Sequence, residues 1–333
     1  MRAVVLERHG GPEVLTVREV PDPAPGPDEV LVDVRASALN RADLLQREGL
    51  YPGPPTPGYG PGGSPGEIPG LEFSGTVAAV GDRVRVWRPG DAVMAVSGVA
   101  CFAERTVVHE RILMPVPAAV GPADAAAIPE VWVTAWDALI VQGGLRPGGT
   151  ALVHAGGSGV GTAAIQLCAA LGAGCVVTAS AGKLDRCRAL GANAAVDYAS
   201  ADFVTAALEA TGGRGVDVVL DVIGGEYLER NLDALALRGR IVQVGIMGQG
   251  MATFPLGKLL PKRAALIGTV LRSRPLEEKI AAAQGFAREV VPGFETGTYR
   301  PVIDRRYPLD EIGAAQEYLA TNQSFGKVVI DIG

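Results

Sequence analysis

The sequence predicts an α/β protein in two parts: a β-rich first part, then a doubly wound, six-stranded parallel sheet. Three observations predict this. The 333 residues suit two domains at roughly 150 residues each. Up to about Arg111 the chain shows short β-type runs, such as 30–34 and 76–80, separated by Pro- and Gly-rich turns like PDPAPGPDE. From about Thr150 apolar runs alternate with helical segments, the sign of a parallel sheet with crossover helices.

Between the β-type runs lies GLYPGPPTPGYGPGGSPGEIPG, residues 49–70, too rich in Gly and Pro for a helix or a central strand. It reads as a long loop carrying Tyr51 and Tyr59. Long loops in compact domains are often functional, the plainer alternative being a flexible insertion. In the second part the apolar runs are TALVHA, CVVTA, AAVDY, VDVVLD, RIVQVG and AALIGTV, six strands for a complete doubly wound fold. After the first of them Val160, Ala163, Ala164, Leu167 and Leu171 recur at helical spacing, giving one apolar stripe. After about Val290 the pattern changes again. A helix over 310–321 carries Ile312, Ala315 and Leu319 on one face, and the strand KVVIDI follows. This tail is too short to be a domain and must pack on something else.

Composition narrows the function. Nearly half of the residues are hydrophobic and a fifth charged, as in an ordinary globular protein. A formal charge of −6 with no basic tail argues against a nucleic-acid partner. The start, MRAVVLERHGG, is too charged for a signal peptide, and no stretch reaches about 18 apolar residues, so the expectation is a cytoplasmic protein away from membranes. Cys101, Cys168, Cys175 and Cys187 form no CxxC pair, and His9, His109 and His154 are scattered. These read as packing residues, with no metal expected.

The first strand of the second part ends in HAGGSGVG, where a helix begins. A tight glycine turn lets the backbone approach a pyrophosphate while the free N–H groups of the helix face the anion. Gly156, Gly157, Gly159 and Gly161 depart from strict GxGxxG spacing, and Ser158 interrupts them. The setting, between a strand and a helix that open a six-strand pattern, favours a dinucleotide. Cofactor choice is read at the end of the second strand, in VTASAGKLDR, where NAD-binding chains place an acid. Here Ser180 and Lys183 follow the strand, and Tyr198 closes the third strand nearby. A hydroxyl, an ammonium and a phenol suit the 2′-phosphate of NADPH. The competing reading makes Lys183 a solvated surface residue and gives the ribose to Asp185.

Several long segments resemble the medium-chain dehydrogenase/reductase superfamily, specifically its quinone oxidoreductases and the p53-inducible quinone oxidoreductase group. They are GGPEVLTVREVPDP, ASALNRADLLQREGLYP, IPGLEFSGTVAAVG, AAAIPEVWVTAW, HAGGSGVGTAAIQL, LDVIGG and TVLRSR, spread over nearly the whole chain. The resemblance implies a GroES-like catalytic domain from residues 1–120 and 295–333, with a Rossmann domain, 121–294, inserted between. It implies a cofactor in the cleft between them, touched by Asn40, Tyr51, Gly157, Ser158, Gly159, Val160, Lys183, Tyr198, Gly245, Ile246 and Met247. Thr134 and Lys327 carry over more weakly. It also implies a homodimer joined through the last Rossmann strand, AALIGTV. The zinc-dependent branch has a Cys ligand where Asn40 stands and a His within a GHE that here reads Gly70–Leu71–Glu72. Both ligands are absent from this sequence, as is the four-cysteine structural lobe.

Oxidising an alcohol requires stabilisation of an alkoxide, by a metal or by a tyrosine whose pKa a lysine depresses; no YxxxK pair is present. A quinone needs less help, because its reduced form delocalises the charge. Catalysis then rests on positioning and on exclusion of water. Tyr51 and Asn40 are the candidate donors to the acceptor carbonyl, with Tyr51 as mere packing the alternative. The expected activity is NADPH:quinone reduction. Reduction of α,β-unsaturated ketones or enoyl thioesters is the rival, and a non-catalytic NADPH-binding protein a second.

Overall fold

The structure, a computed structural model, describes residues 1–51 and 67–333. The middle of the Gly/Pro segment, with Tyr59, lies outside the described residues. By contact the chain forms two compact units, Met1–Val133 with Arg272–Gly333, and Thr134–Leu271. The boundaries expected from sequence, 120 and 295, fall elsewhere because flanking residues share the first unit's core. Ala126 and Ala127 pack with Ala36, Ala38 and Val329, and Ile280 packs with Val30 and Val32.

The first unit opens with an antiparallel ribbon, β1 (Arg2–Leu6) and β2 (Leu15–Glu19). Then come β3 (Glu29–Ala38), α1 (Arg41–Arg47), β4 (Glu72–Val80), β5 (Ala92–Val96), β6 (Arg105–His109), β7 (Met114–Pro115), α2 (Pro122–Ala125) and α3 (Pro129–Trp136). In β3 the residues Val30, Val32 and Val34 are buried while Asp33 and Arg35 face out, the period of two that a half-buried strand requires.

The second unit contains β8 (Thr150–Val153), α4 (Gly159–Leu171), β9 (Gly174–Ala179), α5 (Leu184–Ala189), β10 (Ala194–Asp197), α6 (Phe203–Ala210), β11 (Val216–Asp221), α7 (Tyr227–Ala234), β12 (Leu235–Gln243), α8 (Leu259–Lys262) and β13 (Ala265–Gly268). Each of the six apolar runs is one strand. All pair in parallel in the order β10-β9-β8-β11-β12-β13, so the order reverses between β8 and β11. In this doubly wound fold, ligands bind beyond the carboxyl ends of the strands at that reversal. The predicted stripe on α4 proves too narrow. Every residue from Gly161 to Cys168 is buried, including Ile165 and Gln166, so the helix is covered on more than its sheet face.

The tail supplies α9 (Leu276–Glu289), α10 (Val291–Glu295), β14 (Ile303–Pro308), α11 (Ile312–Ala320) and β15 (Lys327–Asp331). It finds its partner in the first unit: β15 runs antiparallel to β3, with Val329 opposite Ala38, and β14 extends the same seven-stranded sheet. Ile312 and Ala315 of α11 pack with Leu39, Phe102 and Val328. Among the described residues no helix is long and apolar enough to cross a membrane.

Candidate active site

The glycine turn sits beyond the end of β8, at the reversal. Ser158 is the N-cap of α4, its hydroxyl oxygen accepting from Gly161 N–H at 3.0 Å, which leaves the hydroxyl proton for a ligand. Gly161 is dictated by space. A Cβ there would stand 2.4 Å from Ala155 O and 2.6 Å from the Gly156 backbone. Gly156 is crowded by Val177 in the same way, at 2.7 Å. The turn is therefore closed upon itself, and its N–H groups head a 13-residue helix whose dipole favours an anion. This is a cradle that fits a dinucleotide pyrophosphate.

At the end of β9, Ser180 begins a single helical turn, and Tyr198 lies alongside because its N–H bonds Ala179 O. Lys183 ends that turn, its own N–H bonded to Ser180 O. Asp185 faces solvent and pairs with Arg188 at 2.7 Å. Across the reversal, the residues after β12 are bonded to those after β11. Met247 N–H donates to Val222 O and Gly248 N–H to Ile223 O, each at 2.9 Å, with Ile246 and Met247 exposed.

In the first unit a buried charge cluster surrounds the end of β3. Lys327 Nζ, at the start of β15, donates to Leu39 O at 2.6 Å and Asn40 Oδ1 at 2.7 Å, and pairs with Glu72 Oε1 at 2.8 Å. Both Lys327 and Glu72 are buried. Asn40 Nδ2 donates to Glu72 Oε1 and Ala38 O, and Glu130 N–H donates to Glu72 Oε2. The amide orientation of Asn40 follows from charge: its oxygen faces the ammonium and its nitrogen the carboxylate. Burial pushes the Asp43 carboxyl up to about 7, and burial beside Glu72 pushes Glu130 up to about 8. Arg272, also buried, donates from Nε to Gly98 O and from Nη1 to Tyr51 O, and its guanidinium lies 5.1 Å from the centre of the Tyr51 ring. Burial and the nearby Glu130 raise the Tyr51 phenol, with Arg272 opposing, so Tyr51 remains protonated at ordinary pH.

Comparison with known proteins identifies this arrangement. Residues 26–118 match the alcohol dehydrogenase GroES-like domain, and residues 159–286 match the zinc-binding dehydrogenase family. A quinone oxidoreductase of Lama guanicoe is 31% identical over 99% of this chain and 97% of its own. The chain belongs to the quinone oxidoreductase family of medium-chain dehydrogenases/reductases. The human synaptic vesicle membrane protein VAT-1 homolog is 29% identical over 99% of this chain and 86% of its own. Among solved structures, Escherichia coli quinone oxidoreductase complexed with NADPH superposes with a TM-score of 0.87 at 28% identity, covering 99% of this chain and 100% of that one. An NAD-dependent alcohol dehydrogenase also gives 0.87, at 33% identity with full coverage of both chains. The protein is thus an oxidoreductase of this family, and the fold carries a nicotinamide dinucleotide site.

Although one matched family is described as zinc-binding, the residues here do not fit a metal. Where that branch has its ligands, this quinone oxidoreductase relative presents an amide turned toward an ammonium at Asn40 and an apolar side chain at Leu71. Among the described residues no three His, Cys, Asp or Glu side chains come together to hold an ion. All four cysteines are free and buried.

Two of the expected site residues already have partners within the protein. Asn40 was expected to donate to the acceptor carbonyl, but both of its amide protons are spent on Glu72 and Ala38 O. Lys327 was expected among the cofactor contacts, but its three protons go to Leu39 O, Asn40 and Glu72. Thr134 is buried on α3, and Gly157, Gly159 and Val160 lie in the turn and the first residues of α4. Sequence reading missed Glu72 as a buried anion, and with it Asp43, Glu130 and Arg272. A charged residue opening a mostly buried strand, as in EFSGTVAAV and KVVID, was the available signal.

Proposed function

We propose that the protein is a metal-independent NADPH:quinone oxidoreductase. The observation that carries the cofactor choice is the end of β9, where Ser180 and Lys183 follow the strand, Tyr198 is bonded beside it, and the nearby acids are engaged elsewhere, Asp185 with Arg188 and Asp197 with Ser200 and Ala199 N–H. When bound, the reduced nicotinamide supplies a hydride. The chain's own residues do the rest. The turn Gly157–Ser158–Gly159–Val160 holds the pyrophosphate, with Thr134 and the Gly245, Ile246 and Met247 segment as further cofactor contacts. Lys183 neutralises the 2′-phosphate, flanked by Ser180 and Tyr198. Tyr51, held by Arg272 and kept protonated, donates to the acceptor oxygen as charge develops there. Asn40 links Lys327 to Glu72.

A single panel of steady-state assays tests this. Lys183→Ala should weaken NADPH binding about 10- to 100-fold and leave NADH nearly unchanged, since a charge-assisted bond is worth about 1.5–3 kcal/mol. Equal losses for both cofactors would remove the assignment. Tyr51→Phe should lower turnover roughly 5- to 30-fold. Wild-type rates in that variant would reduce Tyr51 to a packing residue. A second reading, reduction of α,β-unsaturated carbonyls, draws on the same protonated Tyr51, because a less activated acceptor gains more from a neutral donor. It takes precedence if Phe abolishes enone turnover while sparing quinones. No turnover on any acceptor would leave a cofactor-binding protein without catalysis.

We also propose a homodimer joined at β13. This edge strand is only four residues long, and Leu256, Leu260, Leu266 and Val270 around it are exposed, apolar surface that pairing across a two-fold axis would cover. Light scattering at micromolar concentration should give about twice the chain mass; a monomer refutes it.

A further inference from the structure

Beneath the glycine turn runs a buried file of four polar side chains that the proposed chemistry does not use. His154, just past β8, has Nδ1 3.0 Å from Thr178 Oγ1 on β9 and Nε2 2.7 Å from Asn231 Oδ1 on α7. Asn231 Nδ2 donates to Asp221 Oδ2, at the end of β11, at 2.9 Å. All four side chains are buried, none more than 2% exposed. Each proton can be placed. A carboxylate only accepts, so Asn231 turns its nitrogen to Asp221 and its oxygen to His154; Nε2 therefore carries the imidazole proton, and Nδ1 accepts from the Thr178 hydroxyl. Burial lowers the imidazole's pKa, with Asp221 and the Asn231 bond opposing and Arg230 assisting, so the ring is neutral. Phe203 and Tyr227 close over it edge-on at 4.9 Å.

Both ends of the file hold backbone. Thr178 Oγ1 accepts from Ala155 N–H and Thr178 O from Gly156 N–H, fixing Ala155 at φ +57°, a left-handed conformation that a non-glycine residue rarely adopts. At the other end Asp221 Oδ1 accepts from Ile223 N–H at 2.6 Å and Gly224 N–H at 3.0 Å. The carbonyls of Asp221, Val222 and Ile223 in turn accept from Val244, Met247 and Gly248. One chain of side-chain bonds thus crosses the reversal between β8 and β11. It joins the phosphate turn to the segment 244–248.

We propose that Thr178, His154, Asn231 and Asp221 are positioning residues for the dinucleotide, setting the spacing between the 155–161 turn and the 245–247 segment so that both engage one ligand. The proposal rests on the nucleotide reading above. None of the four needs to touch the ligand. They act through the amides they hold.

Thr178→Val removes the hydroxyl at nearly constant volume and leaves His154 Nδ1 without a donor. Fluorescence titration of the folded variant with NADPH should show about a 10-fold higher Kd, with KM for the acceptor unchanged. Thr178→Ser, which restores the hydroxyl, should return the affinity. Should the Val variant not fold, Asn231→Ser breaks the middle of the file and carries the same expectation. A Thr178→Val protein that melts lower yet binds NADPH as the wild type does would overturn the proposal, reducing the file to core support. A wild-type protein that binds neither NADPH nor NADH overturns this proposal and the nucleotide reading together, and is thereby told apart from the first failure.

Discussion

Lys327→Met should destabilise the protein by about 3–5 kcal/mol, because it leaves the fully buried Glu72 without its counter-charge. For a unit of the size of Met1–Val133 with Arg272–Gly333 that lowers Tm by roughly 6–20 °C, readable in a thermal scan. The loss should exceed that from any exposed pair, such as Arg188 with Asp185. The second half of the test is the double variant Glu72→Gln, Lys327→Met. Removing the orphaned charge should recover more than half of the loss, since the neutral amide still offers an oxygen to Asn40 Nδ2 or Glu130 N–H. A double variant as unstable as the sum of the singles would show that the two residues act separately, against the geometry.

Gly161→Ala is expected to be nearly as harmful. The added methyl meets Ala155 O and the Gly156 backbone, and backbone cannot rotate aside as a side-chain tip can. Overpacking against such an obstacle belongs at the upper end of the usual range, about 3 kcal/mol. Cofactor affinity should fall with stability, because the atoms displaced are those of the phosphate turn. Gly182→Ala is the control. Nothing in the protein lies within 4 Å of a Cβ at Gly182, and that substitution should not change Tm by a measurable amount. If Gly161→Ala proves equally silent, the turn has room the structure does not show.

Much of the fold was legible in the chain. The six apolar runs of the second part each became one strand because parallel strands are covered on both faces and leave an uninterrupted signature. The turn before α4 was legible for a similar reason: few residues other than glycine satisfy the space at 156 and 161. What stayed hidden was pairing between distant charges. Lys327 and Glu72 look like surface residues beside their apolar neighbours, and their burial depends on a contact that no local pattern encodes. Asn40 was singled out, but its bonds to Glu72 and Lys327 join residues too distant in the chain for any local pattern to show. His154 was read as a satisfied structural histidine, which it is. Its connection to Asn231 and Asp221 needed three strands and a helix in place before it could be seen.

The return of the tail to β3 carries a consequence for the order of events during synthesis. Thr134–Leu271 is contiguous, so the whole second unit can emerge and fold before translation ends. The first unit cannot. Its sheet lacks β15 and β14, and Glu72 lacks Lys327, until residues 303–331 leave the ribosome. At roughly 5–20 residues per second, Glu72 waits on the order of 10–50 s for its cation. During that interval the Ala36–Ala38 end of β3 lacks its partner on the edge that β6 pairs only over Glu29–Asp33, and the surface that β15 will cover stands open to the nascent chain's surroundings. The part of the protein that is made first is therefore finished last.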